Sequence, residues 1–192
     1  MEALAHLRHI IAALDEAVVD SLCVRAQRRL NSGLYDLAGE MPPVLAIQAA
    51  RFAAASTLAA RIQVLRPGYL GDVLPVLCEP GEDTGQPACL SADGACLDAL
   101  ARRLALSVHV ATRKKEALPP ALQAAVLAGD PAGVELAITH PAVEAEVLAR
   151  VRARTASVSA NPALPDRLVR LYAGWIIPLS RKIQVHGLLA GR

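Results

Sequence analysis

Apolar residues recur at spacings of three and four along most of the chain, the period of a helix that packs on one face. Leu7, Ile11, Leu14, Val18 and Leu22 draw the first stripe. They predict a helix over about residues 2–30, stopped by Asn31-Ser32-Gly33. Pro42-Pro43 opens a second helix that runs through Ala49 and Ala60 to about Leu65. From Arg66 to about Ser91 the periodicity gives way to Pro67, Gly68, Gly71, Pro75, Pro80, Gly81, Gly85 and Pro87, which predicts a loop with at most a short helix over 73–78. A third long helix is expected from near Ala92 to just before Pro119-Pro120, followed by short helices over about 122–128 and 131–139. Pro141 opens a further long helix through about residue 157, and Pro165 opens the last, with Pro178 kinking it midway. The expected fold class is all-α: one helical-bundle domain over residues 1–192, of about six to eight helices, with a loop-rich insertion at about 66–91. No internal repeat or low-complexity tail interrupts it.

Composition agrees with helices. Hydrophobic residues make up 54% and aromatics 3%. Alanine and leucine dominate, both helix formers, while runs of β-branched and aromatic residues are scarce. Charge narrows the function. A net charge of +2 with 20% charged residues gives no footprint for nucleic acid, and five aromatics are too few for a base-stacking platform. The run Arg113-Lys114-Lys115 reads as a short solvated patch. Mean hydropathy is positive, yet Arg51, Arg61 and Asp130 cut the apolar stretches below the roughly 18 residues a membrane span requires. With His6, Arg8 and His9 the N-terminus does not read as a signal peptide, although a removed leader would leave no trace. Cys23, Cys78, Cys89 and Cys96 form no CxxC pair and match no zinc spacing. They read as structural thiols; Cys78 and Cys89 flank a loop and would be able to pair in a secreted chain.

Candidate chemistry lies where polar residues interrupt apolar stripes. Arg8 stands one turn before Ile11, in line with Val18 and Leu22, and a charge there calls for a partner, a ligand or a reach to solvent. Arg103 and Lys114 are eleven residues apart. They therefore point the same way within about 20°, roughly 16 Å apart along one helix, placed either to grip a dianion or to line a solvated face. Glu144 shares a face with Val147, Leu148 and Val151, where a first-turn carboxylate also suits the helix dipole. Ser180 and Gln184, four apart, fall in line with Ile177 and Leu188, where neutral donors also satisfy the backbone. His140 precedes Pro141 and reads as a helix cap. His6 and His9 have no ligand cluster around them, no phosphate-cradling glycine motif is present, and no Ser/His/Asp or Cys/His set stands out.

Taken together these segments carry a resemblance. Cys96-Leu-Asp-Ala-Leu-Ala-Arg-Arg-Leu, continuing to Val110-Ala-Thr-Arg-Lys114, resembles the long helix of the all-helical (AroQ-type) chorismate mutases of plants and yeast, which reads approximately C-L-Q-A-L-S-R-R-I-H-x-G-K-F-V-A-E-x-K. Ile138-Thr-His-Pro-Ala-Val-Glu144 is similar to that family's T-x-P-x-V-E turn. Leu171-Tyr-Ala-Gly-Trp-Ile-Ile-Pro-Leu-Ser-Arg-Lys-Ile-Gln-Val185, through Leu188-Leu189, is similar to its L-Y-x-D-W-I-x-P-L-T-K-E-V-Q-V-x-x-L-L ending. Arg8 and Ser21-Leu-Cys-Val-Arg-Ala-Gln27 resemble R…S-L-L-E-R-A-Q. The correspondence runs in order along nearly the whole chain.

The resemblance implies a cofactor-free enzyme rearranging chorismate to prephenate in a pocket between helices. Arg8, Arg103 and Lys114 would hold the two substrate carboxylates and the ether oxygen. Glu144 would hold the ring-hydroxyl side, Ser180 a carboxylate, and Gln184 would donate to the ether oxygen; His140 and Val143 would complete the binding set. It also implies a homodimer acting on a small molecule, with no metal, no nucleic acid and no membrane partner. The expected compartment is the cytoplasm, with a secreted form that diverts chorismate as the alternative. The family's aromatic effectors bind near a glycine-serine pair; Pro87-Ala88 stands there, removing an amide donor and a hydroxyl, so insensitivity to tryptophan and tyrosine is expected. Rival readings are a lyase acting on isochorismate and an inert helical interaction module.

Overall fold

The computed structural model describes residues 2–35, 44–116 and 119–190, and among them every regular element is helical. Helix α1 spans Glu2–Arg25 and ends five residues before the expected stop. The cause is Arg25 itself. Its side chain, wholly buried, turns back to donate to the Arg29 and Leu30 carbonyls at 3.0 and 3.1 Å and pairs with Asp93 at 2.6 Å. Orphan carbonyls of the chain leaving the helix thus meet a cation rather than a further helical turn.

The second expected helix is two. Its expected start at Pro42-Pro43 lies outside the described residues. Helix α2 is Leu45–Ala54 and α3 is Leu58–Gly68, with the Thr57 hydroxyl accepting from the Ala60 amide as N-cap. The region expected to be a loop at 66–91 is largely helical. A π-turn, Tyr69–Val73, carries α3 into α4, Leu74–Leu77, and the longest helix, α5, begins at Gln86 rather than near Ala92 and ends at Glu116. Pro87 sits in its first turn, where no intrahelical amide bond is lost, so a residue read as a breaker is an opener. Only the stretch 78–85 remains irregular, fastened by the Asp83 carboxylate, which accepts from the Arg29 and Gly85 amides at 3.1 and 3.0 Å.

Helices α6, Pro120–Ala128, and α7, Pro131–Ile138, form a hairpin turned by Gly129, whose φ of 68° lies in the left-handed region. Helix α8 is Pro141–Val158 and α9 is Leu164–Leu171. A second π-turn, Tyr172–Ile176, joins α9 to α10, Ile177–Leu189. Both π-turns precede a proline by the same interval, Pro75 and Pro178, and in each case the residue four before the proline is a glycine, Gly71 or Gly174. A proline ring clashes with the carbonyl four residues back. The wider π-turn relieves that clash without ending the helix.

The main core joins Val18 and Leu22 of α1, Leu100 and Leu104 of α5, Leu168 of α9 and Leu179 and Ile183 of α10. A second cluster, Ala111, Leu122, Val134, Ile138, Val185 and Leu188, seats the α6–α7 hairpin on the far ends of α5 and α10. There α5 and α10 approach so closely that a Cβ on Gly187 would stand 3.0 Å from the Ala111 Cβ. No described helix is long and apolar enough to cross a membrane. All four cysteines are buried free thiols. Burial pushes Cys23 and Cys96 up to about 11 and Cys78 up to about 12, so they behave as packing residues.

Candidate functional site

Four helices and one hairpin enclose a cavity of about 510 Å³, within the range of small-molecule sites. Each helix offers one face at helical spacing. From α5 come Arg103, Ser107, Val110 and Arg113; from α8 Val143, Glu144, Val147 and Arg150; from α10 Ile177, Ser180, Arg181 and Gln184. Leu7 and Ile11 of α1 and Leu122, Ala137 and Ile138 of the hairpin supply apolar wall, and His140 stands at the start of α8. Among the described lining residues there are four arginines against two glutamates, Glu144 and Glu146, so the chamber favours an anion.

Six of the residues singled out from sequence therefore meet in one cavity: Arg103, His140, Val143, Glu144, Ser180 and Gln184. Arg8 and Lys114 have their backbones in α1 and α5, and their side chains lie outside the described ones. His140 does not cap α8 with its side chain; the ring stands instead at the cavity wall.

The geometry shows how the cations are held. Arg103 is 6% exposed and donates through Nε to Asp15 Oδ1 at 2.7 Å, and Asp15 is 4% exposed. A bond through Nε leaves the four Nη protons of the guanidinium for other partners. Asp15 is held from behind, because the Tyr172 hydroxyl donates to its backbone carbonyl at 3.2 Å. Burial pushes the Tyr172 phenol well above its ordinary value, so it stays a donor. Asp15 Oδ2 is buried with no partner among the described residues.

Glu144 is offset by Arg181, whose Nη1 lies 3.5 Å from Oε1. Arg181 is in turn braced by the Thr139 hydroxyl at 3.3 Å and by Glu135 at 3.9 Å. The Ser180 and Ser107 hydroxyls lie 2.8 Å apart, and Gln184 Nε2 donates to the Ser180 carbonyl at 3.3 Å. Among the described residues no group of three or more His, Cys, Asp or Glu is arranged to hold a metal ion.

Sequence reasoning missed Asp15, Ser107 and Arg181. For Asp15 a signal was present: it falls four after Ile11 and three before Val18, inside the same apolar stripe that drew notice to Arg8. Ser107 and Arg181 gave none, since a serine or arginine beside a stripe is equally at home in solvent.

The family model for chorismate mutase type II matches residues 91–185, which run from within α5 to within α10. The chain is 30% identical over 135 residues to the chloroplastic chorismate mutase 1 of Petunia hybrida, a match covering 63% of this chain and 42% of that protein. The chain spans about half the length of the curated relatives it matches. Its fold is that of the crystal structure of the chloroplast chorismate mutase from Zea mays, with a TM-score of 0.78 and 22% identity over 97% of this chain and 95% of that one. The chorismate mutase of Candida albicans in complex with L-Trp is similar too, at a TM-score of 0.76 and 21% identity over 97% of this chain and 90% of that one.

Proposed function

Since this chain belongs to the all-helical chorismate mutase family, we propose that it rearranges chorismate to prephenate in the cavity between α1, α5, α8 and α10. The observation that carries this reading is the convergence of Arg103, Ser180, Gln184 and Glu144 on one arginine-rich, apolar-walled chamber. Chorismate is a small dianion with an enol ether, and the reaction breaks one C–O bond and makes one C–C bond within the same molecule. That chemistry calls for no nucleophile, metal or redox cofactor, and the enzyme's contribution is to hold a reactive conformer and stabilise charge. Arg103 and Arg8 would clamp the carboxylates, with Ser180 donating to one of them, so that the compact conformer is selected from the many in solution. Lys114 and the Gln184 amide would face the ether oxygen and stabilise the negative charge that builds there as the bond opens. Glu144 would accept from the ring hydroxyl, its charge balanced by Arg181 at 3.5 Å. His140 and Val143 would close the wall.

The same reading extends to assembly and control. The protein would act as a homodimer with a complete cavity in each subunit. It would ignore tryptophan and tyrosine, because Pro87 and Ala88 at the start of α5 offer neither the amide nor the hydroxyl that an amino-acid effector requires there.

The deciding experiment is turnover of chorismate by the purified chain, followed by loss of the substrate's ultraviolet absorbance. A rate on the order of 1–10³ s⁻¹, with prephenate as product, is expected. Absence of turnover, or release of pyruvate in place of prephenate, would sink the reading.

A further inference from the structure

Ser107 of α5 and Ser180 of α10 place their hydroxyl oxygens 2.8 Å apart at the cavity wall, and both residues are buried. Among the described residues the two hydroxyls bond only to each other. A serine hydroxyl carries one proton and two lone pairs. The pair therefore holds two protons, and its internal bond uses one. The second has no acceptor within the pair; Val110 and Ile177 beside it on this wall are apolar, and the Gln184 amide one turn on donates through Nε2 to the Ser180 carbonyl at 3.3 Å. A mid-helix serine in that position ordinarily turns its proton back onto the carbonyl four residues earlier, which for Ser180 is Ile176. A carboxylate in the cavity competes for the same proton.

The long-helix pattern of this chain's family carries glycine where Ser107 stands, so the hydroxyl pair is a departure of this chain from that pattern. The two helices are close enough for it because α10 crosses α5 with Gly187 against Ala111, two turns beyond Ser180.

We propose that Ser107 is a positioning residue: its hydroxyl donates to Ser180 Oγ and so directs the Ser180 proton away from the α10 backbone and onto a carboxylate of the bound substrate. Donation from Ser107 occupies a lone pair of Ser180 Oγ, which fixes the rotor of that hydroxyl. It also polarises the O–H bond, making Ser180 a stronger donor to an anion. This rests on the reading that the cavity takes chorismate.

A double-mutant cycle tests it, because a residue that acts through another has no effect once the other is gone. Ser107→Ala is expected to raise KM for chorismate on the order of 5-fold, the worth of one oriented hydrogen bond, with kcat nearly unchanged. Ser180→Ala raises KM further, and adding Ser107→Ala to that variant changes nothing more. Thermal melting should show Ser107→Ala as stable as the parent or more so, since alanine suits a helix better. Calorimetric titration with prephenate repeats the cycle without turnover and should give the same loss of additivity in Kd. Unchanged KM and Kd in Ser107→Ala, or an equal effect with and without the Ser180 hydroxyl, would overturn the proposal. A parent protein that binds prephenate but turns over no chorismate refutes the functional reading while the cycle in Kd still decides on Ser107. A parent that binds neither refutes both.

Discussion

Asp15 and Arg103 form the pair that holds the most deeply buried of the described cavity arginines. Both are almost fully buried and 2.7 Å apart. Removing one partner of such a pair strands the other charge, at a cost of about 3–5 kcal/mol. Asp15→Ala should therefore lower the free energy of unfolding in urea by that amount and lower kcat/KM as well, because Arg103 loses the contact that aims it; an unchanged urea midpoint would show the carboxylate to be dispensable. Lys114 carries the opposite expectation. In the role proposed for it, donation to the breaking C–O bond, Lys114→Ala should cost on the order of 10²-fold or more in kcat while the melting curve stays in place. Near-parental turnover in that variant would reject its assignment. Gln184 bears on pH. The resemblance puts a glutamate at this position in the yeast enzyme, where only the protonated form donates, whereas an amide donates at any ordinary pH. Activity should thus hold from mildly acid to neutral pH; a rate falling steeply over that interval would contradict the role given to Gln184.

At the scale of elements, the knot around Arg25 ties four segments together. Arg25 closes the end of α1, Asp93 belongs to α5, and Tyr35 and Tyr69 reach in from the turn after α1 and from the first π-turn. The Tyr69 hydroxyl donates to Asp93 at 2.8 Å, and Arg25 Nη2 donates to the Tyr35 hydroxyl at 3.2 Å. Burial raises both phenols above their ordinary values, so they remain protonated and able to donate. Asp93→Ala would leave a wholly buried guanidinium without its counter-charge and two hydroxyls without an acceptor. A loss of about 3–5 kcal/mol is expected, seen as early unfolding in urea. A stability within experimental error of the parent would mean that the knot is not cooperative. The two π-turns make a related point: proline does not end these helices, because a widened turn placed just before it absorbs the ring.

The whole molecule sets where its charges meet. The anion-favouring chamber exists because α5 and α10 lie side by side and α8 folds over them against α1, with the α6–α7 hairpin closing one end. Saturation by chorismate should be the same with and without added tryptophan or tyrosine, and sedimentation should give a dimer. A shift of the saturation curve on adding tryptophan would show that an effector site persists despite Pro87-Ala88. The sequence by itself determined the helical class and the long helices, because apolar spacing follows the 3.6-residue period that any packed helix must obey. It also drew notice to Glu144, Ser180 and Gln184 as polar residues in line with such stripes and to Arg103 by its spacing from Lys114, while the roles proposed for them came from the family resemblance. It misplaced the stretch after Arg66, where proline and glycine read as loop but serve as helix openers and π-turn relief, since local composition does not say which backbone amides have somewhere else to bond. Only the tertiary structure decided that Asp15 holds Arg103, that Arg181 faces Glu144 and that Ser107 meets Ser180. Those pairs span 88, 37 and 73 residues of chain; a periodicity reports which face a residue occupies, while its partner is fixed by how the helices pack.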